Sequence, residues 1–250
     1  AEWEPDVLIM RYWMSYFAPS LGFVSRKMPK SCTRIGILDN VIPHEPHFFD
    51  APLTLWFLKS IDGAITLCDE VGKDLTKLNS DIPHMTLPHP TYTHFGCPID
   101  KAQAEKLLCI PHKDDSRTLL FFGLIREYKG LDILIRAMKL LDQRYRLIIA
   151  GEPYGSFDKY SDLISECGAP SRFFIFPQYI KDSEVKKYFC AADLAVLPYR
   201  SATQSGINAV ANHFELPMVV TDVGGLKETI GDRGTGLVCN DCTPECVASA

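Results

Sequence analysis

The sequence predicts an α/β protein built on parallel sheets, and three observations carry that reading. Short apolar runs recur along the 250 residues, each apolar on consecutive rather than alternate positions, as strands covered on both faces are. Amphipathic segments of helical length separate them. Strand–helix–strand order repeats, and parallel neighbours need such a crossover. A break between about Pro88 and Arg117 divides the pattern into two α/β units, the first with three or four strands and the second with six.

In chain order, the first unit offers strands at Asp6–Met10, Thr33–Asp39 and Ala64–Cys68. The stretch from Pro88 to Pro98 is rich in turn formers and has no period. A short helix follows, with Asp100 as its cap and Ala102 to Leu108 as its body, and then a polar connector from Pro111 to Ser116. The expected organisation is a first unit over 1–97, a linker over 98–116 and a second unit over 117–250. Thr118–Gly123 opens the second unit. Leu131, Leu134, Ala137, Met138 and Leu141 then form one helical stripe. Strands at Tyr145–Gly151 and Phe173–Pro177 come next. Asp182 or Ser183 caps a helix carrying Val185, Tyr188, Phe189 and Ala192. Asp193–Pro198, a helix from near Ile207, Pro217–Asp222 and Gly236–Cys239 complete the pattern. No fixed-period repeat or low-complexity tract interrupts it.

Composition excludes several classes. With 26 Lys+Arg against 31 Asp+Glu the formal charge is −5, which argues against general nucleic-acid binding. The longest apolar runs, such as Leu147–Ala150, are too short to span a bilayer. The opening residues lack the basic start and apolar core of a signal peptide. Nine cysteines, mostly in apolar runs, read as buried small hydrophobes in a reducing compartment, hence a cytoplasmic setting. Cys239 and Cys242 have a zinc-like spacing, with Cys246 nearby, but no second pair completes four ligands, so no metal is expected.

Most regular motifs are missing: the glycine fingerprint of nicotinamide enzymes, the phosphate loop of NTPases, the His-Glu-x-x-His of zinc proteases and the nucleophile elbow of hydrolases. In an open parallel sheet, ligands sit at the carboxyl ends of strands. One such end carries Arg126 and Lys129 just before a helix, and another carries small polar residues before the helix near Ile207. Helix amides and two cations suit a diphosphate. Spacing alone equally allows solvated loop charges and Ser205 as a plain cap.

The segment Phe121 to Met138, the run Leu147–Glu152, the pair Val185 to Pro198 and above all Leu216-Pro217-Met218-Val219-Val220-Thr221-Asp222-Val223-Gly224-Gly225-Leu226-Lys227-Glu228 resemble the donor domain of family 4 glycosyltransferases. The first unit resembles the later part of the acceptor domain, through Asp39 to Glu45 and Pro88-His89-Pro90. The resemblance implies the GT-B fold: α/β, with two Rossmann-like parallel-sheet domains facing a cleft, the first incomplete here. It implies sugar transfer from a nucleotide-sugar donor to a glycan or lipid-linked acceptor, with retention of configuration and no essential metal or cofactor. Arg126, Lys129, Gln204, Ser205 and Gly206 would hold the donor diphosphate. Gly123, Glu152, Tyr179 and Ile180 would hold the nucleotide, the Tyr179-Ile180 loop largely through its backbone, with an exposed loop carboxylate the other reading of Glu152. His44 is the acceptor-side histidine candidate for catalysis, with a structural loop histidine as the other reading.

One departure matters. The family carries two Glu eight positions apart, and the corresponding positions here are Ala202 and Val210. Either Thr203, Gln204 and Ser205 replace those contacts, or the chain is a nucleotide-sugar-binding or interaction module with impaired catalysis. Arg26, Lys27, Lys30 and Arg34 beside Phe17, Leu21, Phe23, Val24 and Met28 make either a solvated helix and loop or a weak peripheral contact with anionic lipid at the inner face of a membrane. Set against the family, the sequence reads as truncated at both ends, lacking early acceptor-domain strands and the closing helices.

Overall fold

The computed structural model describes residues 4–43, 47–90, 92–203 and 205–250. The chain divides into two compact units, Ala1–His89 and Pro90–Ala250. The first alternates β1 (Val7–Tyr12), α1 (Ala18–Lys27), β2 (Thr33–Leu38), α2 (Asp50–Leu58), β3 (Gly63–Thr66), α3 (Asp69–Leu78) and the short β4 (His84–Thr86). All four strands are parallel in the order β1-β2-β3-β4. Crossovers of one hand that always step the same way put every helix on one face. Accordingly Met10, Tyr12, Leu38 and Ala64 pack in one core with Ala18 of α1, Phe57 and Leu58 of α2, and Val71 and Leu75 of α3. The other face carries Val7, Ile9 and Met85, which are 52%, 61% and 56% exposed, and no helix packs there among the described residues.

The second unit runs α4 (Lys101–Leu107), β5 (Arg117–Phe122), α5 (Leu131–Ala137), β6 (Tyr145–Ala150), α6 (Asp158–Glu166), β7 (Phe173–Phe176), α7 (Asp182–Ala191), β8 (Leu194–Leu197), α8 (Gly206–His213), β9 (Met218–Thr221), β10 (Gly236–Cys239) and α9 (Pro244–Ser249). Its six parallel strands lie in the order β10-β9-β8-β5-β6-β7. The chain steps outward from β5 to β7, then returns to the other side of β5 at β8. That reversal makes a crevice at the carboxyl ends of β5 and β8, where such sheets take ligands. Both faces are covered. Leu120, Phe122, Ile148 and Leu197 pack under α4, α7 and α8, and Phe121, Leu147, Ile149 and Val196 pack under α5, α6 and α9. Each fully buried Leu, Ile or Phe contributes about 1.5–3 kcal/mol, so this two-sided core anchors the loops above it.

The structure corrects four local expectations. The 98–116 stretch is no linker: Ala104, Leu108 and Ile110 enter the core of the second unit, and the division falls at His89/Pro90. Turn-forming residues there fit α4 onto the sheet rather than separating two domains. Buried Arg146 of β6 fixes α4 by donating to Glu105 Oε1 at 2.7 Å and to Thr118 Oγ1 at 2.9 Å. Asp100 precedes α4 but accepts no capping hydrogen bond, and neither Asp182 nor Ser183 caps α7, which starts at Asp182. Arg34 does not belong with the basic residues of α1, because it lies on β2 and forks onto Asp62 at 2.6 and 2.9 Å.

Candidate functional site

Backbone constraints come first. After β5 and β6 the chain continues through Gly123 and Gly151, which lie so close that a Cβ on Gly151 would meet the Gly123 carbonyl oxygen at 2.0 Å. The ladder then resumes beyond both strands. Ile125 N–H donates to the Glu152 carbonyl at 2.8 Å, and Tyr154 N–H donates to the Ile125 carbonyl at 3.0 Å. A tight turn over Glu127–Lys129 ends at Gly130, whose φ of 67° is left-handed. A side chain there would strike the Pro198 carbonyl at 2.0 Å, so only glycine lets the β5 loop touch the β8 loop.

Arg200 fastens the same two loops. Its N–H donates to the Tyr128 carbonyl at 2.7 Å, and its guanidinium forks onto Asp132 at 2.6 and 2.9 Å. Burial pushes the Asp132 carboxyl up most strongly, but the Arg200 hydrogen bonds and charge, a backbone hydrogen bond and the Arg136 charge together hold the group below its ordinary range. The crevice is therefore walled by two loops that are tied before any ligand arrives.

Two cations, Lys129 and Arg126, stand on the loop after β5. Lys129 is half-buried; its Nζ lies 5.8 Å from the Tyr199 ring centre and 3.1 Å from where a Gly123 Cβ would sit. Burial pushes its pKa down; Tyr128 pulls the other way, and the nearby Arg126 charge adds to the depression. Arg126 lies over the face of Tyr154, 4.2 Å from the ring centre. Among the described residues no carboxylate comes within 4 Å of either cation. Two like charges near one another, one of them desolvated, are an arrangement that an anion would stabilise.

The first turn of α8 lies against the same spot. Ile207 Cδ1 comes within 3.3 Å of the position a Gly123 Cβ would take. Ser205 caps this helix, its Oγ accepting from Ile207 N–H at 3.3 Å and lying 3.4 Å from the Tyr199 hydroxyl. Burial raises the Tyr199 phenol to about 12, so it stays neutral. The start of α8 thus lies beside Lys129, since Lys129 Nζ and Ile207 Cδ1 both approach the position a Gly123 Cβ would take, at 3.1 and 3.3 Å.

Beside the cations lies a cavity of about 320 Å³, lined by Phe122, Gly123, Leu124, Gly151, Glu152, Tyr179 and Ile180. All four residues expected to hold a nucleotide line it, although Ile180 is itself largely buried. Lys129 and the start of α8, which holds Ser205 and Gly206, lie near Gly123 on the β5/β8 side, while Arg126 lies over Tyr154 in the loop after β6. His44 and Gln204 lie outside the described residues. A larger space of about 590 Å³ beside Pro217 and Gly236 sits at the amino ends of β9 and β10, and no Lys or Arg lines it.

Ala202 and Val210 are both buried, and both belong to the core under α8. They do not line the described cavity. Cys239 is buried with its thiol raised to about 12, and among the described residues no group of three or more His, Cys, Asp or Glu is placed to hold an ion. Sequence reasoning missed Tyr154, Tyr199 and Arg200. Their signal was position, since each follows a parallel strand at its carboxyl end.

Comparison with known proteins places the family match within the second unit and the structural likeness across both. The model of the family described as glycosyl transferases group 1 matches residues 109–250. A glycosyltransferase of Methanocaldococcus jannaschii is 31% identical over 141 residues, 54% of this chain and 35% of that protein. A D-inositol 3-phosphate glycosyltransferase of Mycolicibacterium gilvum is 29% identical over 173 residues, 68% of this chain and 37% of that protein. The chain thus spans about a third of the length of the curated relatives it matches. Among solved structures, sucrose-phosphate synthase from Thermosynechococcus elongatus superposes with a TM-score of 0.81 at 17% identity, covering 97% of this chain and 63% of that one. Anabaena HepE in complex with UDP-glucose gives 0.80 at 13% identity, covering 98% of this chain and 67% of that one. These likenesses show the fold.

Proposed function

The chain belongs to the glycosyl transferases of group 1, and from that membership we propose that it binds a nucleotide-sugar donor at the carboxyl ends of β5, β6 and β8 and serves transfer of the sugar to a glycan or lipid-linked acceptor. The observation that carries this reading is the pair of cations Arg126 and Lys129, which have no carboxylate within 4 Å among the described residues and lie next to the Gly123–Tyr179 cavity, Lys129 near the start of α8. As the glycosidic bond breaks, the departing nucleoside diphosphate gains negative charge. Fixed cations and amides already aimed at that charge lower the barrier without reorganising. In this reading Arg126, Lys129, Ser205, Gly206 and Gln204 hold the diphosphate, and Gly123, Glu152, Tyr179 and Ile180 frame the nucleoside.

Retention of configuration, independence of metal ions and a role for His44 toward the acceptor belong to the same proposal. So does weak contact with anionic lipid through α1, which exposes Phe23, Val24, Arg26 and Lys27. No helix among the described residues is long and apolar enough to cross a membrane. The buried Ala202 and Val210 favour a second reading, a module that binds the donor without turning it over. A thermal-shift panel of UDP, GDP, ADP, CDP and their sugars, with and without EDTA, tests the donor site. Stabilisation by at least one nucleotide that survives EDTA is expected, and stabilisation by none refutes the proposal. Donor turnover set against donor binding then separates the two readings.

A further inference from the structure

Arg126, with no carboxylate within 4 Å among the described residues, presents a problem of positioning. A long flexible side chain on a loop needs something to hold it, yet the usual holder, a carboxylate, would cancel the charge the site needs and compete with an incoming phosphate. The structure places an aromatic ring there instead. The Arg126 guanidinium lies 4.2 Å from the centre of the Tyr154 ring, within the range over which a ring face attracts a cation. Tyr154 is 73% exposed and takes no place in the buried core clusters. Its backbone nonetheless is fixed, because its N–H closes the extended ladder onto Ile125, the residue before Arg126. Ring and guanidinium are therefore delivered to each other by one short stretch of paired backbone, Ile125 beside Pro153.

We propose that Tyr154 is a positioning residue that holds Arg126 at the diphosphate site through its ring face, leaving the guanidinium charge and its donors available to the ligand. The inference rests on the donor-site reading above. It assigns Tyr154 no contact with the substrate. Its action runs through Arg126 alone.

The test is a double-mutant cycle on the full chain, using the nucleoside diphosphate that stabilises the wild type, with inorganic pyrophosphate as a base-free probe. Tyr154→Leu removes the ring face and is expected to weaken binding roughly 2- to 5-fold, whereas Tyr154→Phe, which keeps the face, retains wild-type affinity. In an Arg126→Met background the same Tyr154→Leu change should have no further effect, because its route is gone. Equal losses in both backgrounds, or a loss in Tyr154→Phe matching that of Tyr154→Leu, overturn the proposal. If the wild type binds neither probe, the donor-site reading fails and takes this one with it. Binding by the wild type with an unchanged Tyr154→Leu variant sinks the positioning role alone. Thermal unfolding without ligand checks that the exposed substitution leaves the fold intact.

Discussion

Replacing Lys129 by Met should move binding and stability in different directions. Met keeps most of the side chain's apolar length and removes only the charge. In the free protein that charge is half-buried, lies near Arg126 and has no carboxylate within 4 Å among the described residues, so losing it relieves a desolvation penalty. The Lys129→Met protein should therefore melt at the same temperature as the wild type or higher. Binding of a nucleoside diphosphate should fall by about 2–4 kcal/mol, roughly 30- to 700-fold, as expected when one partner of a close charge pair is removed. The pH dependence has a definite sign. The folded-state pKa of Lys129 lies below the ordinary 10.5, so between those two values the unfolded chain holds more protons and stability rises with pH. That rise should be missing from the variant. Melting curves across pH 7–11 and titration calorimetry with the best-bound nucleotide supply both readouts. A variant that binds like the wild type, or that loses several degrees of melting temperature, refutes an anion site at Lys129.

Three further outcomes follow from the same geometry. Gly130→Ala forces a Cβ into the Pro198 carbonyl at a left-handed φ; a loss of about 2–4 kcal/mol is expected by denaturant titration, with weaker nucleotide binding, because the β5 and β8 loops part. Val210→Glu puts a carboxylate into the core under α8 and should cost about 3 kcal/mol or more without raising donor turnover; gained activity would show that this position faces ligand after all. His112 donates to Glu105, with Asp114 as its other neighbour, and both raise its pKa above the ordinary 6.5. Its contribution is full below pH 6.5 and fades as pH rises through the raised value, so His112→Gln should flatten the fall in melting temperature across that window.

The sheet residues were the most legible part of the sequence. Runs such as Leu119–Phe122 and Leu147–Ala150 are apolar at every position because α4, α7 and α8 cover one face and α5, α6 and α9 the other. The placement of Arg126 and Lys129 after β5 and of Ser205 as the cap of α8 was legible because strand ends and helix starts are marked in sequence. Caps were less so: Asp100 and Asp182 are good capping types, but whether a side chain turns back to the helix depends on a rotamer that sequence does not specify. The division between units was misread because Pro88 to Pro98 has the composition of a linker, while its neighbour α4 is held by a buried ion pair whose members, Glu105 and Arg146, stand far apart in the chain. The strand end that carries Tyr154 was legible, but its pairing with Arg126 was not: an aromatic beside a proline suggests an ordinary loop until the ladder shows which cation it meets.

The first sheet has a practical consequence. β1 is an edge strand, and its outward residues Val7 and Ile9 continue an apolar face that no helix of the described residues covers. An edge strand next to exposed apolar side chains is an arrangement by which sheets recruit strands from other molecules. A preparation of this chain by itself is thus prone to self-association through β1, and a lysine at Ile9 is the economical remedy: it blunts the edge while lying outside every residue group assigned to the donor. Concentration-dependent light scattering would follow the improvement, and it would separate loss of material from loss of ligand affinity in all the titrations above.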